Sequence, residues 1–327
     1  MKRTATYIGL ITVLAVLFIL SLQIGILHLD TSVFSLIGKH GSVAATTVWD
    51  VRFPRALGAV VIGGALGIAG ALAQGIFRNP LAEPTLIGLS SGATFGTIVG
   101  IATGLAGYGS GVNCLAATLG TAMAAVITLF LAPNKNFGFL LTGIAFSSIL
   151  TSVSGLIISI SQRPGIQSLS FWNFGSLSLI NFATVRVITP FILVGVVLAL
   201  SLARGLNIWS LGENTAFYLG MNIRRFRFVA IIAIALLIGP AVSAVGSIAF
   251  LGLLVPHVVR LIVGPNHKHL IGYSALLGAI VLLIADLLAR AAFAPHEVPL
   301  GLLTSLLGAP ILIILLRARR AQWVSEQ

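Results

Sequence analysis

The chain has 327 residues, of which 57% are hydrophobic and only 8% charged. A soluble domain carries about 25% charged residues, so this chain cannot cover its own surface in water and must be solvated mainly by lipid. The formal net charge of +12 would direct a soluble protein towards nucleic acid, but here the basic residues lie between apolar runs, which excludes a nucleic-acid partner in favour of membrane orientation.

Each spanning helix needs roughly 20 apolar residues. The expected fold is therefore all-α, a polytopic membrane protein with about ten transmembrane helices in one transmembrane domain over 1–327. Met1-Lys2-Arg3 leads into an apolar run from Tyr7 to Leu27. That run is long for a secretory signal and ends without a small-residue cleavage site, so it reads as the first span. The hydropathy pattern predicts spans at 5–27, 53–77, 86–105, 112–132, 138–160, 184–203, 227–246, 248–263, 270–293 and 298–317. Two are unusual: 86–105 is Gly-rich and 248–263 is short, features of helices that line a pathway rather than face lipid.

Small residues recur at four-residue spacing as Gly63, Gly67, Ala71 and Gly75, and again as Gly96, Gly100 and Gly104. Such stripes let helix backbones approach closely, and they are read here as packing faces. Ten spans place both termini on one side, together with Lys2, Arg3, Arg78, Lys135, Arg204, Arg224, Arg225, Arg227, Arg260, Lys268, Arg317, Arg319 and Arg320. Lys39, Arg52, Arg55, Arg163, Arg186 and Arg290 fall on the other side. The positive-inside rule then puts both termini in the cytoplasm of a multi-pass protein of the cell membrane.

The longest polar stretch, Arg204–Arg227, lies on that cytoplasmic side and is broken by Gly212, Gly220 and Asn222 into short amphipathic pieces. Its composition fits an interfacial helix resting on lipid and equally a docking surface for a cytoplasmic partner. The single cysteine, Cys114, excludes an internal disulfide and a Cys-rich metal site. No G-x-x-x-x-G-K-[ST] phosphate loop and no His-Glu-x-x-His site occurs, so the chain binds no ATP by that route and is expected to hold no cofactor or metal. Gly88–Gly92 satisfies G-x-S-x-G, but a nucleophile elbow needs a strand before the serine, and this one lies between apolar spans. Asp286 and Arg290 share a helix face at i, i+4. They read as a local ion pair, the competing reading being a proton-coupling carboxylate at Asp286 in a secondary transporter. Glu83 lies between Pro80 and Pro84 at a span end, and His257 among apolar neighbours reads as packed.

Four stretches carry a likeness: Val51–Ala93, Phe171–Ser178, Leu211–Arg227 and Gly246–Pro310. Through them the chain resembles the FecCD/BtuC-like permeases of ABC importers for iron-siderophore, heme and cobalamin. The resemblance implies a type II importer permease fold and a dimer with a second copy or paralogue. It also implies two cytoplasmic ATPase subunits that hold ATP-Mg, and an extracytoplasmic substrate-binding protein. On the matching positions it implies that Leu211, Gly212, Glu213, Thr215, Gly220, Arg224 and Arg225 meet the ATPase. Arg52, Arg55 and Arg290 would face carboxylates of the binding protein. Asn136 and Phe137, at the Asn134–Phe137 turn, would form a cytoplasmic gate. Gln162, Trp172 and Asn173 would meet the substrate or its binding protein. The implied cargo is a ferric siderophore or heme, with cobalamin the alternative.

Overall fold

The computed structural model describes residues 2–25, 33–36, 42–85, 88–131, 136–161, 173–292 and 296–325. Within them the chain is helical, and a helix stands at each of the ten expected spans. The order is α1 (Lys2–Gln23), a short α2 (Val43–Thr46), α3 (Phe53–Ile76), α4 (Leu89–Thr103), α5 (Gly111–Leu131) and α6 (Asn136–Ile160). It continues with α7 (Phe182–Ser201), the short α8 (Ala203–Trp209) and α9 (Glu213–Tyr218), then α10 (Ile223–Val245), α11 (Leu251–Val263), α12 (His267–Ala291) and α13 (Leu300–Ser325). A π-helical turn, Thr47–Arg52, joins α2 to α3, so the apolar helical run extends from Val43 to Ile76.

Among the described residues seven helices are long and apolar enough to cross a membrane, and three shorter apolar ones, Leu89–Thr103, Leu251–Val263 and Leu300–Leu312, accompany them. The thirteen residues of α11 rise only about 20 Å, less than a hydrocarbon core of about 30 Å. A helix that stops inside the bundle must have its end groups satisfied by protein. Glu83 meets this need: its carboxylate accepts the backbone N–H of Phe250, the N-cap residue of α11. Glu83, at the span end, is thus buried against the bundle. Burial pushes its carboxyl above the ordinary range, against hydrogen bonds from Thr85 and the Phe250 amide. Gln74 of α3 adds a second tie, donating from Nε2 to the Leu253 carbonyl at 3.0 Å.

α3 lies at the centre, buried on nearly every side. The small-residue stripe explains how. A Cβ added at Gly67 would lie 2.2 Å from the Ser274 carbonyl of α12, and one at Gly70 only 1.9 Å from the Gly252 carbonyl of α11. The second stripe works likewise, with Gly96 of α4 against the Ala116 carbonyl of α5. Both stripes are contact lines, as the spacing suggests. Gly70→Ala should therefore push α3 and α11 apart at a cost of about 1–3 kcal/mol. Gly272→Ala, where an added Cβ meets nothing within 4 Å, should leave stability unchanged or raise it slightly. Thermal unfolding of the two purified variants checks both.

Candidate functional site

The two ends of α3 and α12 carry different chemistry. At the end where α3 begins and α12 finishes, Arg55 donates from Nε to Asp286 Oδ1 at 2.8 Å. Its Nη1 and Nη2 reach Glu297 Oε1 and Oε2 at 2.9 and 3.1 Å, a two-pronged carboxylate clamp. Arg290 Nε lies 3.1 Å from the other oxygen of Asp286, one turn back on α12. Asp286 is fully buried between the two guanidiniums.

The remaining donors of this cluster cap α1. A helix leaves its last carbonyls without intrahelical partners. Arg52 Nη1 donates to the carbonyls of Leu22 and Gln23 at 2.9 and 2.7 Å. Arg290 donates to the Ile24 carbonyl at 3.1 Å and to Ser21 Oγ at 2.8 Å. Cations at a helix C-terminus also oppose the helix dipole favourably. The structure thus brings together the three arginines expected to face a binding protein, and it turns them inward. Arg52, Arg55 and Arg290 are only 4, 7 and 4% exposed. Their positively charged ends are engaged by two carboxylates and by the end of α1, because a buried guanidinium must be paired and hydrogen-bonded. The Asp286–Arg290 pair is present as the i, i+4 spacing suggests.

At the opposite end, α8, α9 and the start of α10 form a projecting corner. Gly212 adopts φ +114 immediately before α9, and Gly220 adopts φ +79 after it. Both conformations suit glycine, so the two glycines cut the polar stretch into separate turns. Asn222 caps α10 by accepting the Arg225 amide at 3.0 Å. Leu211, Glu213, Thr215, Arg224 and Arg225 are exposed there, together with Phe217, Tyr218 and Leu219. Glu213 pairs with Arg227 through two contacts of 3.0 Å, leaving Arg224 and Arg225 to project outwards.

Trp209 roots this corner in the bundle. Its indole N–H donates to the Ile76 carbonyl at 2.8 Å. The guanidiniums of Arg78 and Arg227 each lie 5.1 Å from its ring centroid, within cation–π range. The sequence reading missed Trp209. The available signal was a lone tryptophan within the polar stretch.

Asn136 and Phe137 fall in the first turn of α6, while 134–135 lie outside the described residues. Gln162 and Trp172 also lie outside them. Asn173 is half-buried and lines a cavity of about 220 Å³ with Ser91, Thr94, Thr151, Ser154 and Ser247, a hydroxyl-rich wall without charge. Ser90 is buried at the start of α4, with no strand before it among the described residues, which removes the elbow reading. No group of three or more metal-ligating side chains occurs among the described residues.

A model of the FecCD transport family matches residues 12–318. The chain belongs to this family. It is 38% identical to YvrB, an ABC transporter permease protein of Bacillus subtilis, over 98% of this chain and 95% of that protein. It is 40% identical to HmuU, the hemin transport system permease protein of Yersinia pestis, over 84% of each. It is 36% identical to FepD, the ferric enterobactin permease protein of Escherichia coli, over 95% of this chain and 94% of the other. Its fold resembles a metal-chelate type ABC transporter solved in an inward-facing conformation, with TM-score 0.84, 30% identity, and 96% and 99% of the two chains covered. As a FecCD-family chain its ends can be ranked energetically. Asp286→Asn would leave two buried guanidiniums facing a neutral amide and should cost about 3–5 kcal/mol. Glu213→Gln breaks a half-exposed pair and should cost less than about 1 kcal/mol. Thermal unfolding midpoints of the detergent-solubilised FecCD-family variants give the comparison.

Proposed function

We propose that this chain is the membrane-spanning permease subunit of a binding-protein-dependent ABC importer that moves an iron complex, a ferric siderophore or heme, into the cytoplasm. Near-complete coverage of the permeases it resembles carries the reading, since the whole chain, not a shared segment, is alike. Cobalamin is the alternative cargo, supported by 34% identity to the cobalamin import permease protein BtuC of Halobacterium salinarum over 85% of this chain and 75% of that protein. The chain carries no phosphate loop, so ATP-Mg is held by two separate cytoplasmic ATPase subunits. A second permease copy or paralogue completes the path.

The division of labour follows from the two ends. The corner formed by α8, α9 and the start of α10 meets the ATPase. Leu211, Phe217, Tyr218 and Leu219 are 60 to 85% exposed there, and exposed apolar side chains rimmed by charge favour contact with a partner. Closure of the ATPases moves this corner, and Trp209 passes the movement to α3 through the Ile76 carbonyl. At the other end the binding protein rests on the rim that Arg52, Arg55 and Arg290 hold together. Direct pairing of those arginines with its carboxylates would require exchange of partners with Asp286, Glu297 and the end of α1. The cargo crosses without chemical change, and the termini lie in the cytoplasm.

A proton-driven carrier would need Asp286 to load and release a proton. Asp286 is instead fully buried and tied to Arg55 and Arg290, built into the packing of the bundle rather than placed on a water-filled path, which argues against that cycle.

Uptake into proteoliposomes tests the proposal, using this chain with its ATPase and binding protein and offering heme, a ferric siderophore and cobalamin in parallel. ATP-dependent uptake of one cargo that requires all three components is expected. Replacing Phe217 and Leu219 with Ser should abolish uptake while leaving the unfolding midpoint within about 2 °C of the parent. Uptake by this chain alone under a pH gradient would sink the importer reading.

A further inference from the structure

The cavity of about 220 Å³ lies between α4, α6 and the break that separates α10 from α11. Its wall consists of Ser91, Thr94, Thr151, Ser154, Asn173 and Ser247, with no charged side chain among the described residues. Thr151 is exposed, and Ser91, Asn173 and Ser247 are only half-buried, so the wall is open rather than sealed. At about 30 Å³ per water molecule the space holds about seven of them. That is room for one edge of a metal chelate, not for the whole complex.

The hydroxyls of this wall are not engaged within the chain. A serine or threonine inside a helix commonly closes its hydroxyl onto the carbonyl one turn back. Thr118, Thr121 and Thr189 do so at 2.8, 2.9 and 2.6 Å. Ser148 of α6 does so at 3.0 Å. Thr94, Thr151, Ser154, Asn173 and Ser247 have no side-chain hydrogen bond among the described residues. Polar groups left unpaired within a bundle are unfavourable unless something else meets them.

The backbone beside them is an independent sign. Gly246 turns out of α10 at φ +78, and the chain is not helical again until Leu251. Non-helical backbone at membrane depth is tolerated where protein encloses it or where it borders a water-filled cavity. Transported molecules are held at such interrupted helices. Ser247 belongs to both the break and the wall. The wall also decides the charge of what it receives. Hydroxyls and a carboxamide both donate and accept, so they replace the water around a neutral polar group. They offer no counter-charge to an anion, which is costly to desolvate unpaired. Three hydroxamates neutralise ferric iron, and cobalamin is a neutral complex with amide arms. Three catecholates leave ferric iron strongly negative, and the propionates leave heme negative.

We propose that this cavity is a subsite on the cargo path that selects a neutral metal chelate, one whose edge carries hydroxamate or amide groups, over negatively charged complexes. Thr151, Asn173 and Ser247 donate to the carbonyl and N–O oxygens of that edge, and their own oxygens accept from its N–H groups. The inference rests on the importer reading and narrows its cargo.

The test uses the complete importer in proteoliposomes and compares initial ATP-dependent uptake of a ferric trihydroxamate, cobalamin, a ferric tricatecholate and heme. One of the two neutral complexes should be taken up. The trihydroxamate would name a hydroxamate edge, and cobalamin an amide edge. Uptake of the tricatecholate or heme instead would overturn this inference and leave the importer reading standing. ATP-dependent uptake of none would overturn both. Thr151→Val combined with Ser247→Ala should lower uptake of the neutral complex about tenfold. Thr151→Ser keeps the hydroxyl and should retain uptake. Thr151→Lys should shift the ratio of rates towards the negative complexes, which a merely structural role would not do. Thr12→Val removes a hydroxyl already closed onto the Ile8 carbonyl of α1 and should leave uptake unchanged. Unaltered uptake in the paired variant would overturn the proposal, as would an equal loss in Thr151→Ser or in Thr12→Val.

Discussion

Close backbone approach along α3 is the constraint on which the rest of this molecule depends. In a bilayer, lipid tails are as apolar as leucine, so helices gain little from hiding apolar side chains against each other. What remains is dense contact, and α3 achieves it by presenting no side chain where α11 and α12 cross it. At Gly67 and Gly70 the neighbouring carbonyls occupy the space a Cβ would need. The short α11 can end inside the bundle because α3 and the loop after it reach its backbone, through Gln74 and Glu83.

The same central helix separates two kinds of charge. Where it begins, Arg55 and Arg52 are buried with Arg290, and every charge is opposed by a carboxylate or a helix end. Buried pairs of this kind are costly to form and costlier to break, so they act as a scaffold that ties α1, α3 and α12 at one rim. Where α3 ends, charge and apolar surface are exposed on α9 and α10, and little intramolecular energy resists their engagement by another protein. Trp209 joins that free surface to α3. One rim of the bundle is thus rigid and the other is available.

Much of this was legible in residue order. The ten spans and the two contact stripes follow from hydropathy and from four-residue spacing, both local properties. The two irregular spans were visible as a glycine excess and a short apolar run. The three arginines at one end were legible as a group because topology alone places them on the same side. Their inward direction was not legible: Arg55 meets Asp286 and Glu297 across 231 and 242 residues of sequence, a pairing no local pattern encodes. Glu213 was expected on a partner-facing cytoplasmic surface and is exposed there, where it pairs with Arg227 at the far end of the same polar stretch. Glu83 was legible only as a carboxylate beside prolines at a span end, with no partner indicated. The end of α11, far away in sequence, is what draws it inside.

The sequence by itself determined a lipid-solvated helical bundle, the faces on which its helices touch, and its membership of the FecCD transport family. These rest on composition, periodicity and motif, which need no knowledge of what folds against what. Only the tertiary structure decided which charges are spent inside the molecule and which remain for partners. That decision depends on distance and burial. The same guanidinium is a docking group in water and a structural pin once carboxylates and helix carbonyls surround it.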